Sequence, residues 1–226
     1  MNKPRNIVII PARGGSKRLP NKNVLPLNGK SLIEYSIDFA LDNSDIADDI
    51  YISTDDETIK DIAQKREIAI IDRPKHLAGD TISTVSVMKH VLESINISSY
   101  DNIILLQPTN PLRPKDLLKD AFTMYQKEAF DSLMTVTRNH QKFGKIENNK
   151  FTPFNYRLGQ RSQDLDPLYF ENGLLYITKA SLILDEQILG KNHCTFVVNH
   201  PFAQVDIDTQ TDLKYAEFIM NNYTNE

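Results

Sequence analysis

The sequence has a single cysteine, Cys194, among 226 residues, so no internal disulfide staples the chain, and a reducing, cytoplasmic setting is the expectation. It has no apolar run long enough to span a membrane. The first such run, Ile7 to Ile10 behind Lys3 and Arg5, is four residues long before Pro11 and is too short for a signal-peptide core. An excess of positive charge is also missing. The net charge of −4 argues against broad nucleic-acid binding. No internal repeat or low-complexity tract occurs. The five histidines (His76, His90, His140, His193 and His200) have neither metal-ligand nor triad spacing, and none is assigned a role. The two best-known phosphate-binding signatures, G-x-x-x-x-G-K-S/T and G-x-G-x-x-G, are missing too, so neither mechanism can be borrowed. What remains is a globular composition, 40% hydrophobic and 25% charged, at a length that buries a continuous core unaided.

The most informative segment lies near the amino terminus. The run Ile7–Ile10 breaks at Pro11 into Ala12-Arg13-Gly14-Gly15-Ser16-Lys17-Arg18-Leu19-Pro20-Asn21-Lys22-Asn23, the pattern of a buried strand opening into a glycine-rich loop. Gly14 and Gly15 let backbone N–H groups approach phosphate oxygens, and Arg13, Lys17, Arg18 and Lys22 supply positive charge. Four cations so close together, in a chain that is acidic overall, point to one small polyphosphate ligand. Ser16 is read as a phosphate contact, because no glycine elbow surrounds it to make it a nucleophile.

Short apolar runs then alternate with helical patterns. Ile50–Ser53, Ile68–Ile71 and Ile103–Leu106 read as further strands. A helix over about residues 31–42 carries a capping box, Ser31 with Glu34, and a buried stripe of Ile33, Ile37, Ala40 and Leu41. Asp55 or Asp56 caps a second helix to about residue 66, a third runs through Val85, Met88, Val91 and Leu92, and a fourth begins at Pro114. This rhythm predicts an α/β, Rossmann-like fold: a mainly parallel sheet with helices on both faces and ligands at the strands' carboxyl ends. Ser132–Thr137, Leu174–Thr178 and Thr195–Val198 return to strand character, and Thr209 caps a last helix. Residues at about 138–170 are polar and carry turn signals at Phe143-Gly144 and Asn148-Asn149. They are expected to form a hairpin and an extended arm inserted into a single domain spanning 1–226.

Two further segments carry chemistry. In an extended Val205-Asp206-Ile207-Asp208, the two aspartates share one face while Val205 and Ile207 turn to the core. Paired carboxylates beside a polyphosphate site suit Mg²⁺. The plainer alternative has Asp208 starting the final helix, or both acids solvated. In Leu105-Leu106-Gln107-Pro108-Thr109-Asn110-Pro111-Leu112-Arg113, two prolines stiffen a turn that presents the Gln107 amide just past a strand. Arg73-Pro74, taken alone, is an ordinary surface arginine.

In this order, the blocks Ile10–Lys17 with Pro20 and Lys22-Asn23, Ser53-Thr54-Asp55, Arg73-Pro74 with Leu77–Thr81, Leu105–Arg113, Asn172–Ile177 and Asp206–Thr209 resemble the acylneuraminate cytidylyltransferases. The resemblance implies a nucleotidyltransferase fold, CTP as donor, a nine-carbon 2-keto sugar acid such as N-acetylneuraminate or legionaminate as acceptor, Mg²⁺ and a homodimer. It places the triphosphate on Arg13, Gly14, Gly15, Ser16, Lys22 and Asn23, and cytosine near Arg73 and Thr84. The sugar falls to Gln107, Asn172, Gly173 and Tyr176, and the metal to Asp206 and Asp208. It also makes Arg161 a basic residue that a dimerisation arm lends to the neighbouring subunit's site. Arg13, Lys22, Asp206 and Asp208 then form the catalytic group for in-line attack of the anomeric hydroxyl on the α-phosphorus. The hydroxyl proton goes to Asp206 or to a hydroxide on the metal, which the residues leave open. Asn110 replaces a serine common in the family, and Glu171 a frequent basic residue, so acceptor identity is more open than reaction type. Rival readings are a 3-deoxy-manno-octulosonate or other sugar nucleotidyltransferase, and a nucleotide-binding regulator without turnover.

Overall fold

The computed structural model describes residues 4–95 and 100–225; Lys3, which precedes the first apolar run, lies outside them. In chain order the elements are β1 (Asn6–Pro11), β2 (Pro26–Leu27), β3 (Lys30–Ser31), α1 (Leu32–Asp42), β4 (Asp49–Thr54), α2 (Glu57–Lys65), β5 (Ala69–Asp72), α3 (Thr84–Ser94) and β6 (Asn102–Leu105). There follow α4 (Leu117–Lys127), β7 (Ser132–Asn139), β8 (Gly144–Glu147), β9 (Lys150–Pro153), β10 (Leu168–Lys179), α5 (Ala180–Leu184), β11 (His193–Val197) and α6 (Gln210–Asn222).

Seven strands form one sheet in the order β11-β7-β10-β6-β1-β4-β5. Strands β1, β4, β5 and β6 pair in parallel, as does β11 with β7; only β10 runs antiparallel, to both β6 and β7. The mainly parallel α/β sheet read from the sequence is therefore present. Ile7 to Ile10 are wholly buried because both faces of β1 are covered. Val8 and Ile10 pack with Ile33 and Ile37 of α1, Ile59 of α2 and Leu118 and Phe122 of α4. Ile7 and Ile9, one residue out of phase, pack with Met88, Val91 and Leu92 of α3 and Ile183 of α5.

The predicted caps form. Ser31 donates to Glu34 Oε2 from N (3.0 Å) and Oγ (2.6 Å), Asp56 rather than Asp55 accepts from Ile59 N (3.1 Å), and Thr209 N donates to Asp212 Oδ2 (2.7 Å). The fourth helix, by contrast, starts at Leu117, not Pro114. Leu117 N donates to the Pro114 carbonyl (3.1 Å), so Pro114 opens a tight turn ahead of the helix.

The strand expected at Leu174–Thr178 starts six residues earlier, at Leu168. Leu168–Glu171 pair with Val136–Asn139, and the register shifts between Glu171 and Tyr176. This irregularity absorbs the polar Asn172-Gly173 pair, which reads as a turn in sequence, inside one long strand. Beyond β7, β8 and β9 form their own two-stranded sheet, and Asn148 (φ 50°) and Asn149 (φ 62°) make the turn between them. Gly144 is not a turn residue. It is the first residue of β8, where a Cβ would collide with the Phe151 ring and the Thr152 carbonyl. Among the described residues no helix is long and apolar enough to cross a membrane.

Candidate active site

The sheet places the loops that carry the site. From β1 the strand order runs outward to β4 and β5 on one side and to β6 on the other, so the carboxyl ends of β1 and β6 lie side by side at a point where the winding reverses. The glycine loop leaves β1 there, the Gln107 turn leaves β6, and Arg73 follows β5. A cavity of about 260 Å³ opens between them, lined by Arg13, Ser16, Lys22, Asn23, Arg73, Thr84 and Gln107 together with Asp80.

The glycine loop is held from several sides. Ala12 N donates to Ser53 O (3.0 Å), Gly14 N to Asp55 Oδ1 (3.0 Å), and Asn23 Nδ2 to Arg13 O (2.9 Å). A Cβ on Gly14 would sit 2.5 Å from Asp56 Oδ2, whereas Gly15 has no atom within 4 Å of that position. The first glycine thus permits close packing on the α2 cap, and the second leaves open space. Asn23 is buried and braces the loop backbone. Leu19, farther along the loop, packs with Val205, Ile207 and the α6 residues Leu213, Ala216 and Ile219, so one apolar cluster joins the two ends of the chain.

That cluster carries the aspartates. Residues 205–207 lie outside every strand, contrary to the strand expected there, but they remain extended: Val205 and Ile207 are buried, Asp206 is exposed and Asp208 half-buried. Ile207 N donates to Thr109 O (2.8 Å) and Asn110 Nδ2 to Val205 O (3.1 Å), which replaces a ladder with two contacts to the proline turn. Thr209, not Asp208, caps α6. Asp208 meets the glycine loop directly, with Oδ1 2.8 Å from Lys22 Nζ and Oδ2 2.8 Å from Arg18 Nη2. Asp206 has its carboxyl pKa raised, first by desolvation and next by the Asp208 charge, against a hydrogen bond from Thr109 and the Lys22 charge. Two acids that repel each other beside a cationic loop are a donor set that fits Mg²⁺, which takes one or two carboxylates plus phosphate oxygens. Among the described residues no group of three or more His, Cys, Asp or Glu side chains is placed to hold a metal.

Arg73 is not a surface residue. It is buried, its Nη2 donates to Ser53 O (2.7 Å), and burial lowers its pKa to about 10, so it remains a cation in the cavity wall. The Gln107 backbone is fixed by Arg113, a fully desolvated guanidinium whose pKa falls to about 9. Arg113 donates to Gln107 O (2.8 Å), Leu174 O (2.8 Å) and Ser36 Oγ (3.1 Å). Sequence reasoning saw this arginine only as the end of a motif.

The expected sugar-contacting residues divide. Gln107 lines the cavity; Asn172, Gly173 and Tyr176 do not. The Asn172 side chain is buried and turned inward, accepting from Thr135 Oγ1 (2.6 Å) and Leu174 N (3.1 Å) and donating to Thr137 Oγ1 (3.0 Å). Gly173 needs its left-handed backbone (φ 73°), and a Cβ there would lie 2.7 Å from Asn110 Oδ1. Asn110 also donates to Asn172 O (3.0 Å), so this residue, unassigned from sequence, ties the irregular strand to the aspartate segment. Tyr176 is buried, and its hydroxyl donates to Glu171. Arg161 stays on the arm, exposed and paired with Asp164 (2.7 Å), away from the cavity.

A family model described as Cytidylyltransferase matches residues 7–225. The chain belongs to the cytidylyltransferase family. It is 36% identical to the pseudaminic acid cytidylyltransferase of Campylobacter jejuni subsp. jejuni serotype O:2 over 223 residues, 95% of this chain and 96% of that protein. It is 30% identical to the N-acylneuraminate cytidylyltransferase of Streptococcus agalactiae serotype V over 213 residues, 91% of this chain and 51% of that longer protein. The resemblance to acylneuraminate cytidylyltransferases read from the motifs therefore holds, and the chain is a nucleotidyltransferase. A solved CMP:2-keto-3-deoxy-manno-octonic acid synthetase complexed with CTP superimposes with a TM-score of 0.71 at 16% identity, covering 96% of this chain and 98% of that one. At that identity the match speaks for the shared fold.

Proposed function

We propose that this cytidylyltransferase joins CMP from CTP to the anomeric hydroxyl of a nine-carbon 2-keto sugar acid and releases pyrophosphate. The Lys22–Asp208 contact carries the reading, because it ties a cation that lines the cavity to the paired aspartates, which lie beside the cavity and not in its lining, across 186 positions of chain. The names of the two relatives, which specify pseudaminic acid and an N-acylneuraminate, support the acceptor class.

In this reading Arg13 and Lys22 hold the β- and γ-phosphates and offset charge as pyrophosphate departs, Gly15 and the Ser16 side chain approach the phosphates, and Gly14, whose N–H is held by Asp55, shapes the loop. The buried Arg73 and Thr84, at the start of α3, face the cytidine, while Gln107 meets the acceptor. Asp206 and Asp208 would hold a Mg²⁺ ion, which would supply charge for polarising the α-phosphate. Asn172, Gly173 and Asn110 act one step removed, by setting the wall from which Gln107 and the aspartates project.

The test is pyrophosphate release by purified enzyme with CTP and a panel of N-acetylneuraminate, legionaminate, pseudaminate and 3-deoxy-manno-octulosonate. Release with a nine-carbon acid and none with the eight-carbon acid is expected; release with the eight-carbon acid alone overturns the acceptor assignment. CTP binding without release for any acceptor indicates a nucleotide-binding regulator.

The inserted arm is assigned to a homodimer. Ile146 (74% exposed), Phe154 (71%) and Leu158 (79%) stand open on it, an apolar surface that a second copy covers. Arg161, remote from its own cavity, then reaches the partner's site. Mixing Arg161→Ala and Asp208→Ala chains should restore part of the activity that each lacks alone. An absence of complementation, with the two chains shown to exchange, indicates a site built from one chain.

A further inference from the structure

All four cations of the glycine loop are already paired, and two carboxylates do the pairing. Asp208 takes Lys22 and Arg18, one on each oxygen. Asp80 does the same for the other two: its Oδ1 lies 2.6 Å from Arg13 Nη2 and its Oδ2 2.5 Å from Lys17 Nζ. A carboxylate with a separate cation on each oxygen is the geometry of a bridging phosphate. Asp208 has a place in the metal site, whereas Asp80 has none.

Asp80 comes from the segment after β5, which follows a short helical turn at Lys75–Leu77, and it faces the cavity. Arg13 grips that segment twice, at Asp80 and, through Nη1, at Ala78 O (3.2 Å). The two cations hold the Asp80 carboxyl below the usual carboxylate range, Lys17 contributing more than Arg13, so it is an anion wherever CTP is. Among the described residues its side chain is held by those two cations, with a third of it in solvent.

We infer that Asp80 is a built-in counter-anion that competes with the triphosphate of CTP and with product pyrophosphate for Arg13 and Lys17. The inference rests on the phosphate-binding role assigned to this loop. Without a ligand, Asp80 keeps Arg13 in the cavity wall and draws the exposed Lys17 to the cavity's edge, and it prevents their mutual repulsion from dispersing them. An incoming polyphosphate displaces the carboxylate and must overcome its negative charge. After transfer, the carboxylate reclaims the cations and speeds pyrophosphate departure. Ground-state affinity for polyphosphate is thereby held down, which favours turnover when release is slow.

A residue that merely braced the loop would weaken binding when replaced; a competing anion strengthens it. Calorimetric titration of the full-length protein with inorganic pyrophosphate and Mg²⁺ distinguishes the two. Asp80→Asn, which keeps size and hydrogen-bonding capacity, should bind pyrophosphate about three- to tenfold more tightly than wild type, an effect that shrinks as salt is raised. Pyrophosphate inhibition of turnover should sharpen in parallel. Adding Lys17→Gln should reduce the gain, because one of the contested cations is gone. Unchanged or weaker pyrophosphate binding by Asp80→Asn, with wild type binding normally, overturns the inference and leaves the function standing. Failure of wild type itself to bind pyrophosphate overturns both.

Discussion

Asp208→Ala is expected to lower turnover by about 10² to 10³ while the fold survives, because electrostatic stabilisation of a developing charge is typically worth several kcal/mol. Asp208 touches both halves of the site: it is one of the paired acids and it orients Lys22 and Arg18 through its two oxygens. Its loss removes one of the two proposed metal ligands and leaves the Lys22 ammonium, on a side chain only 13% exposed, without that contact. The Asp206 pKa falls as well, since the Asp208 charge is one of the causes that raise it. Val205, Ile207 and Leu213 still pack with Leu19, so the unfolding transition should stay cooperative and move little. Steady-state kinetics across a Mg²⁺ series, with a melting curve for each sample, make the check. Near-full activity at saturating Mg²⁺ would overturn the assignment of a metal to Asp206 and Asp208.

The second large effect is expected at Arg13. Arg13→Ala should reduce kcat by about 10² or more, with a smaller change in CTP affinity, because its charge is needed most as pyrophosphate leaves. Two consequences oppose each other in the ground state. The triphosphate loses a cation, but the segment at Ala78–Asp80 loses its grip on the loop and Asp80 loses one of its two partners. Binding is therefore damped relative to catalysis, and comparing calorimetric CTP binding with kcat separates the two. Normal kinetics in this variant would reject Arg13 as a phosphate clamp.

The loop cations of the resting site are each paired but only half neutralised, four of them against two carboxylates, which leaves net positive charge for a polyanionic ligand. Cations strong enough to stabilise the departing pyrophosphate also retain it, and paired acids moderate that retention. Arg73 and Arg113 solve a different problem. Both are buried against carbonyl oxygens, where desolvation pulls their pKa values to about 10 and about 9 while leaving them charged, and both fix backbone at strand ends that border the cavity.

Features written in local order were legible from the sequence. The uninterrupted Ile7–Ile10 run announces a strand covered on both faces, Ser31 with Glu34 announces a helix start, and Gly14 with its flanking cations announces an anion site, because each depends on residues within a few positions of one another. Alternation of Asp206 and Asp208 with Val205 and Ile207 likewise survived the absence of a strand, since burial of the apolar pair is enough to turn the acids outward. What only the tertiary structure decided was partnership across long separations. It turned the Asn172 amide inward to Thr135 and Thr137, buried Arg73 against Ser53, and extended β10 back through a polar pair that reads locally as a turn. It also set Asp80 between Arg13 and Lys17 and closed Lys22 on Asp208. The reason is physical: propensity and periodicity act over a turn or two of chain, whereas which charge meets which, and which amide loses its water, follows from how the sheet and the packed apolar clusters bring distant segments together.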